Sequence, residues 1–201
     1  MLRTRIEGVV LDAMGVLYDR ADDVADLLIP YLRSKGCKLA DDDIAHYYRE
    51  CSLGKLTSEE FWIEAGAAGA GDKEYCQSHR LTEGVLPLLG ELKADGYRLG
   101  CLTNDVSEWA ELLRERFRLE ERIPDWVVSG DYGFRKPRRE AFDVMCAKLA
   151  TWPNRVLFVD DREENVAAAR ETGMHVIQYG TLEVSTMDQL RQVLRDRFTP
   201  W

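Results

Sequence analysis

A carboxylate stands at the end of a strand-like run near the start of the chain. Asp12 follows the apolar residues 6–11 and precedes Gly15 by three positions, so it lies between a buried segment and a glycine turn. A run this apolar is typical of a parallel sheet that helices cover on both faces, and such sheets bind ligands beyond the carboxyl ends of their strands. Asp12 therefore occupies the position of a reacting group, although an aspartate that only caps the turn would give the same pattern.

A hydroxyl and an amide follow a second strand-like run. Thr103 and Asn104 come directly after residues 97–102 and before a segment of helical character. The carboxyl ends of parallel strands lie at one edge of the sheet, so this pair can meet Asp12 there. Both side chains can bind phosphoryl oxygens, and the start of the helix adds backbone N–H groups and the positive end of its dipole. Taken alone, the pair also fits an ordinary helix cap.

Two adjacent carboxylates end a third strand-like run, over residues 155–159. Asp160 and Asp161 repel each other unless a cation or a proton neutralises part of their charge. A hard divalent ion is the simplest partner, because Mg²⁺ binds carboxylate oxygens and can bridge to a phosphoryl oxygen. The alternative is that one of the two caps the helix predicted over residues 163–172.

A lysine precedes the helix predicted over residues 138–149. Lys136 stands immediately before Pro137, a residue suited to the first turn of a helix. Its ammonium could hold a substrate phosphate and the Asp12 carboxylate close together against their mutual repulsion. Because arginines surround it, the same lysine also fits a solvated run of charges.

Together, and in this order, the four motifs resemble those of the haloacid dehalogenase superfamily. Its hydrolases carry a nucleophilic Asp in DxDG[TV], a Ser or Thr after the second core strand, a Lys before a helix and a terminal acidic pair, and the match here runs from about residue 9 to residue 176. The resemblance implies that Asp12 attacks phosphorus to form an aspartyl-phosphate, which water then hydrolyses. It also implies that Lys136 serves both catalysis and phosphate binding, and that Thr103 and Asn104 bind the phosphate.

The same resemblance implies metal ligands and cap contacts. Asp12, the backbone carbonyl of Met14 and Asp161 would bind Mg²⁺. Asp160 would either join these ligands or support them. Residues 53–61 look like the cap segment of small phosphatases in the superfamily. Two side chains of the cap region are best placed by this resemblance to contact the substrate, namely Tyr18 and Lys55.

Met14 departs from the family pattern, because most phosphatases of the superfamily have a second Asp at that position. That Asp protonates the leaving oxygen and later activates water, a role that contributes about 10²–10⁴-fold, and methionine cannot transfer a proton. The consequence is slow or leaving-group-limited turnover, another residue as acid and base, a substrate that needs no proton, or lost catalysis. The sequence leaves these alternatives open.

Two alternatives to a phosphatase follow from Met14. A carbon–halogen substrate needs no proton, and superfamily dehalogenases carry Asp-x-Tyr-Gly-Thr, close in form to residues 12–16. Those enzymes, however, work without a metal and lack an acidic pair such as Asp160-Asp161, which would repel a carboxylate substrate. The pair favours phosphate chemistry over dehalogenation. The alternative outside enzyme chemistry is a non-catalytic protein that binds phosphate or a partner.

The periodicity of apolar residues predicts an α/β fold, with a three-layer, Rossmann-like parallel sheet and an inserted all-helical cap. Strand-like runs alternate with helical segments, which implies right-handed crossovers between parallel strands. Because the pattern is helical from residue 18 to residue 81, we assign residues 1–17 and 82–201 to the core domain and 18–81 to the cap. The predicted strands lie at about 7–12, 97–102, 126–129, 155–159 and 174–178. The predicted helices lie at about 86–95, 106–117, 138–149, 163–172 and 186–197 in the core, and at about 22–35, 41–51 and 57–66 in the cap.

Composition limits the class of protein and its partners. The 201 residues include 27 basic and 36 acidic ones, a net charge of −9 without a basic patch, which argues against nucleic acid as a partner. No stretch approaches the roughly 20 apolar residues of a membrane span. The five scattered cysteines lack a metal-binding spacing. We expect a cytoplasmic hydrolase, monomeric or homodimeric, that removes phosphate from a small metabolite in a Mg²⁺-dependent reaction.

Overall fold

The computed structural model describes residues 3–67 and 69–201, so residues 1 and 2, assigned to the core, and residue 68, assigned to the cap, lie outside it. A five-stranded parallel sheet in the order β4-β3-β2-β5-β6 forms the centre of the core. The middle strand and one of its neighbours are buried along their whole length, as expected for a sheet covered on both faces. In chain order the strands are β1 (Thr4–Ile6), β2 (Gly8–Leu11), β3 (Arg98–Thr103), β4 (Asp125–Val128), β5 (Val156–Asp160), β6 (His175–Gln178) and β7 (Phe198–Pro200).

Helices pack on both faces of this sheet. Successive residues of β2 alternate between the faces, since Val9 and Leu11 belong to one hydrophobic cluster and Val10 to the other. Of the helices that the structure describes, none is long and apolar enough to cross a membrane. The helices are α1 (Ile29–Ser34), α2 (Asp41–Cys51), α3 (Ser58–Glu64), α4 (Asp72–Cys76), α5 (Val85–Ala94), α6 (Ser107–Phe117), α7 (Ser129–Tyr132), α8 (Arg139–Lys148), α9 (Glu163–Glu171) and α10 (Met187–Arg197).

The strand register brings the sequence motifs to one edge. Leu11, the last residue of β2, lies opposite Cys101 on β3 and Val159 on β5. Because β2 lies between these two strands, the chain leaves it between Thr103 and Asp160. The motifs that are far apart in the sequence therefore converge at the carboxyl end of the sheet.

The α/β prediction is confirmed, although several short elements were not predicted, namely β1, β7, α4 and α7. Each predicted core strand and helix has a counterpart within a few residues of its expected bounds. The short strands β1 and β7 form a separate two-stranded parallel sheet, in which Thr4 lies opposite Phe198. Three-residue strands are too short to produce a periodic signal, and this pairing depends on contact between the two ends of the chain.

The segment between β2 and α5 contains α1 to α4 and a π-helical turn over Val24–Leu28. Its ends are held together, because the N–H of Asp19 donates to the carbonyl of Arg80 at 3.0 Å and the N–H of Thr82 to the carbonyl of Leu17 at 2.9 Å. We refer to residues 18–81 as the cap. The paired ends attach it to the core at a stem directly after the Asp12 loop.

Candidate active site

Asp12 stands where β2 ends, and the neighbouring strand fixes its backbone. Its N–H donates to the carbonyl of Val159 on β5 at 2.8 Å. The residue is 6% exposed, and its Oδ1 accepts from the N–H of Ala13 at 2.6 Å. No hydrogen bond among the described residues reaches Oδ2. That oxygen is therefore the one available to a ligand.

Lys136 bridges carboxylates from two strands. Its Nζ lies 2.7 Å from Oδ1 of Asp12 and 2.6 Å from Oδ2 of Asp160, and its side chain is 1% exposed. The amide of Asn104 holds the lysine's backbone, since Oδ1 accepts from the N–H of Lys136 at 2.8 Å and Nδ2 donates to its carbonyl at 3.0 Å. Lys136 thus lies outside the solvated run of arginines. Asn104, predicted to bind phosphate, has both ends of its amide engaged in positioning Lys136.

Asp160 and Asp161 have different surroundings. Asp160 is fully buried, and while its Oδ2 contacts Lys136, its Oδ1 accepts from the N–H of Arg162 at 2.9 Å and from Nδ2 of Asn165 at 3.0 Å. Asp161 instead has a buried Oδ1 that forms no hydrogen bond with any described residue. Asp160 is therefore saturated with donors and supports Lys136. Asp161 keeps an oxygen for a cation.

The loop after Asp12 makes room for Asp161. Gly15 has a φ of +78°, and a Cβ at this position would lie 2.6 Å from Oδ2 of Asp161, so a side chain cannot be accommodated without a shift. Within the described chain, one carboxylate oxygen from each of Asp12, Asp160 and Asp161 lies within 4.8 Å of the others. A buried carboxylate oxygen without a partner, beside two more carboxylates, suits a hard divalent cation. The residues present therefore fit Mg²⁺.

Burial governs the ionisation of these groups. Removal from water raises the pKa of Asp12 well above its usual range, the carboxylate of Asp160 raises it further, and the ammonium of Lys136 opposes both. Burial alone would lower the pKa of Lys136, but the two carboxylates it contacts raise that pKa on balance. Lys136 thus stays charged. A cation added beside Asp12 would keep its carboxylate ionised, as a nucleophile requires.

A cavity of about 40 Å³ lies in front of Asp12, between the core and the cap. Thr103 borders it, and the buried Oγ1 of this residue has no partner in the described part of the chain. Since a buried hydroxyl without a partner is costly, this atom suits a bound phosphoryl oxygen. From the core, the lining residues are Asp12, Met14, Thr103, Asn104, Arg135, Lys136, Arg162 and Asn165, and from the cap they are Ala21, Asp23, Val24 and Tyr48.

The structure does not bring the two predicted cap contacts to this cavity. Tyr18 is 2% exposed, and its ring packs against that of His79, with centroids 6.0 Å apart. It belongs to the stem, which turns its side chain into the hydrophobic core. Lys55 is exposed beyond the end of α2 and pairs with Glu50 at 3.0 Å. Other residues of the cap line the cavity instead.

Tyr48 and Asp23 are the cap residues that sequence analysis missed. The OH of Tyr48 donates to the carbonyl of Asn104 at 3.0 Å, which links α2 to the residue that positions Lys136. Asp23 is buried, with 4% of the residue exposed. The signals in the sequence were weak, because Tyr48 follows the apolar face of α2 and Asp23 is one of several acids in residues 19–26. Which of them reaches the site depends on how the cap packs.

A family model of haloacid dehalogenase-like hydrolases matches residues 6–173. The chain belongs to this family. The identification that the four motifs suggested is confirmed, and the protein is a hydrolase. The site built by Asp12, Thr103, Lys136 and the acidic pair is thus the candidate active site of a haloacid dehalogenase-like hydrolase.

Two relatives of this hydrolase carry the names of phosphatases. One is an N-acetylmuramic acid 6-phosphate phosphatase of Pseudomonas putida, 25% identical over 188 residues that cover 88% of this chain and 84% of the relative. The other is a sesquiterpene phosphatase of Aspergillus oryzae, 27% identical over 199 residues that cover 95% and 98%. Both similarities extend through the core and the cap.

Among solved structures, this haloacid dehalogenase-like hydrolase resembles a family enzyme of Bacteroides thetaiotaomicron in complex with magnesium and inorganic phosphate. The TM-score is 0.70 at 19% sequence identity, and the match covers 86% of this chain and 93% of the other. At this identity the likeness concerns the fold. The parallel sheet and its helices are therefore those of the family.

Proposed function

We propose that the protein is a Mg²⁺-dependent phosphatase of a small phosphorylated metabolite and that it forms an aspartyl-phosphate on Asp12. The observation that carries this proposal is the ammonium of Lys136 between the carboxylates of Asp12 and Asp160, beside the unpartnered hydroxyl of Thr103. These groups provide a nucleophile and two ligands for phosphoryl oxygens at one small cavity. The phosphatase names of its relatives agree with that chemistry.

Each residue has a defined task in this reaction. Oδ2 of Asp12 attacks phosphorus, while Lys136 binds Oδ1 and keeps the carboxylate oriented. The Lys136 ammonium and the Thr103 hydroxyl bind phosphoryl oxygens and stabilise the charge that spreads over them in the transition state. Asn104 and Asp160 hold Lys136 in place. The reaction is thus divided into two displacements at phosphorus.

The acidic groups provide the site for the metal. Asp12, Asp161 and the backbone carbonyl of Met14 would hold Mg²⁺, and Asp160 would support them through Lys136. When bound, Mg²⁺ neutralises part of the carboxylate charge and polarises a phosphoryl oxygen. Three carboxylates lie together here, and without a cation their charge would repel a dianionic phosphate.

Dehalogenation is the weaker alternative for this site. A 2-haloacid would have to bring its carboxylate next to Asp12, Asp160 and Asp161, whose charges repel it. A phosphate ester carries more negative charge, but it can share a divalent cation with two of these residues. Met14, which first suggested a dehalogenase, removes an acid without adding a group that binds halide.

A panel of phosphorylated metabolites and 2-haloacids, assayed with and without Mg²⁺, tests the proposal. We expect phosphate release that requires Mg²⁺ and no halide release. Asp12→Asn should lower kcat by at least about 10³-fold, because the amide is a poor nucleophile. Asp143→Asn, at an exposed residue of α8, is the matched control and should keep full activity. Halide release, or phosphate release that survives excess chelator or the Asp12→Asn change, would overturn the proposal.

A further inference from the structure

Met14 leaves the proposed phosphatase without an obvious proton donor. An alkoxide leaving group needs a proton as its bond to phosphorus breaks, and a thioether cannot supply one. The cavity between core and cap contains the groups that could take over this task. Its ionisable lining residues are Asp12, Asp23, Tyr48, Arg135, Lys136 and Arg162.

Most of these groups are committed or unsuitable. Asp12 is the proposed nucleophile, and Lys136 is held between two carboxylates that favour its charged form. Arginine does not deprotonate in proteins, which excludes the two guanidinium groups. The Tyr48 hydroxyl donates to the carbonyl of Asn104, and burial raises its pKa well above the usual range. Asp23 is the remaining candidate for the proton donor.

Asp23 has the surroundings of a protonatable acid. It is 4% exposed and forms no ion pair with any described residue. The OH of Tyr75 donates to its Oδ2 at 3.2 Å, and no hydrogen bond in the described chain reaches its Oδ1. Burial is the main cause that raises the pKa of Asp23 to about 6, whereas the Tyr75 hydrogen bond opposes the rise. Five charged or titratable groups interact electrostatically or by a hydrogen bond with Asp23, namely Asp22, Tyr48, Tyr75, Asp105 and Arg162.

Asp23 also lines the cavity of the proposed nucleophile. Asp23 and Asp12 border the same cavity, whose volume is only about 40 Å³. A phosphoryl group that contacts Asp12 in so small a space has its leaving oxygen close to the cap residues. Asp23 is the one carboxyl group that the described part of the cap contributes to this lining.

We propose that Asp23, carried by the cap, is the general acid and base of this enzyme in place of the residue that Met14 replaces. This inference rests on the proposed phosphatase function. As Oδ2 of Asp12 bonds to phosphorus, the bond from phosphorus to the leaving oxygen breaks with its electron pair on that oxygen, and the Asp23 carboxyl gives it a proton. In the second step Asp23 takes a proton from water as the water oxygen bonds to phosphorus. The bond to Asp12 breaks with its electron pair returning to the carboxylate, which yields inorganic phosphate and restores both residues.

Asp23→Asn tests the inference, because it removes the proton and nearly preserves the shape. With an alkyl phosphate, kcat/KM should fall by about 10²–10⁴-fold. With an aryl phosphate, whose phenolate departs without a proton, kcat/KM should change little. Steady-state kcat should then fall and a burst of about one phenol per active site should appear, because hydrolysis of the aspartyl-phosphate also needs the base. The matched control is Asp26→Asn, at an exposed acid of the same turn.

A pH profile separates a proton donor from a structural residue. In the ratio of wild-type to Asp23→Asn kcat/KM for one alkyl phosphate, ionisation of the substrate cancels. This ratio should fall as the pH rises through about 6, because the wild type loses its acid there. The intact aryl phosphate kcat/KM of the variant serves as the measure of correct folding.

Three outcomes would overturn the inference. They are a variant that keeps its alkyl phosphate kcat/KM, one that loses alkyl and aryl kcat/KM equally, and a ratio that does not depend on pH. Each is distinguishable from failure of the proposed function, which would appear as a wild-type protein that releases no phosphate from either substrate.

Discussion

Three carboxylates meet one ammonium at the end of the central strands, yet they do not share one task. Both oxygens of Asp160 accept hydrogen bonds, from Lys136, the N–H of Arg162 and the amide of Asn165. Asp161 keeps a buried oxygen without a hydrogen-bond partner among the described residues. The sequence shows two equal aspartates in a row. Their different surroundings let one aspartate hold Lys136 in place and leave the other with an oxygen that suits the proposed metal.

At the scale of single residues, we expect Asp161→Asn to weaken Mg²⁺ binding by at least about tenfold. Even the substitution of residues that only support metal ligands lowers metal affinity by about that factor. Without metal, the variant should be as stable as the wild type or slightly more stable, since one of several repelling charges is gone. Titration calorimetry and thermal unfolding measure the two effects, with Asp143→Asn as the control. Equal Mg²⁺ affinity in the variant and the wild type would assign Asp161 to a structural role.

Motif spacing was enough to find most of the core side of the site, because residues at the ends of neighbouring parallel strands must meet. It could not give the task of Asn104, whose amide binds the backbone of Lys136, 32 residues further along the chain. Nor could it show that Tyr48, and not the predicted Tyr18, lines the cavity. Both are buried tyrosines of the cap, and only the packing of the helices decides which one reaches the cavity.

At the scale of elements, the turn from β3 into α6 contains a buried acid. Asp105 is 1% exposed, and its Oδ1 accepts from the N–H of Val106 at 2.7 Å. Burial is the first cause that raises its pKa to about 8, and the charge of Asp23 adds to the rise. This turn therefore becomes less stable when Asp105 ionises.

The sign of the pH effect follows from this raised pKa. The folded state holds the proton more tightly than the unfolded chain, so the stabilisation is complete below about pH 4, the ordinary value of an aspartate, and is lost as the pH rises towards 8. Asp105→Asn should thus match the wild type near pH 4 and exceed its free energy of unfolding at pH 8, by on the order of a few kcal/mol. Urea unfolding at the two pH values measures this. The exposed control Asp131→Asn should follow the wild type, and a constant difference for Asp105→Asn at both pH values would contradict the expectation.

The core elements could be predicted from the sequence because each carries its own signal. The strand over Val156–Asp160 begins with four apolar residues in a row, and α10 begins with a capping box formed by Thr186 and Gln189. The pairing of β1 with β7 has no such signal, since its partners lie almost 200 residues apart and each strand has three residues. Three cap helices could be located, but the short α4 and the packing of the cap on the core could not.

At the scale of the whole molecule, the cap and the core share one hydrophobic cluster. Trp109 of α6 in the core contacts Tyr75 of α4 in the cap, with ring centroids 4.6 Å apart. Trp62 of α3 lies 5.3 Å from the same indole. The cap is therefore anchored by aromatic contacts as well as by its stem, which holds Tyr48 and Asp23 at the cavity.

Asp72 is the polar centre of this anchor. Its Oδ1 accepts from the indole N–H groups of both Trp62 and Trp109 at 2.7 Å, and its Oδ2 accepts from the hydroxyl of Ser58 at 2.7 Å. Asp72→Ala leaves these partly buried donors without an acceptor, which should lower the free energy of unfolding by on the order of 3 kcal/mol. Because the same contact positions the cap, kcat/KM for an alkyl phosphate should fall even well below the new Tm. Asp72→Asn keeps one acceptor oxygen and should lie between the wild type and Asp72→Ala in both measurements. Thermal unfolding together with kcat/KM checks the argument, and an unchanged Tm or an unchanged kcat/KM in Asp72→Ala would mean that the stem alone determines where the cap sits.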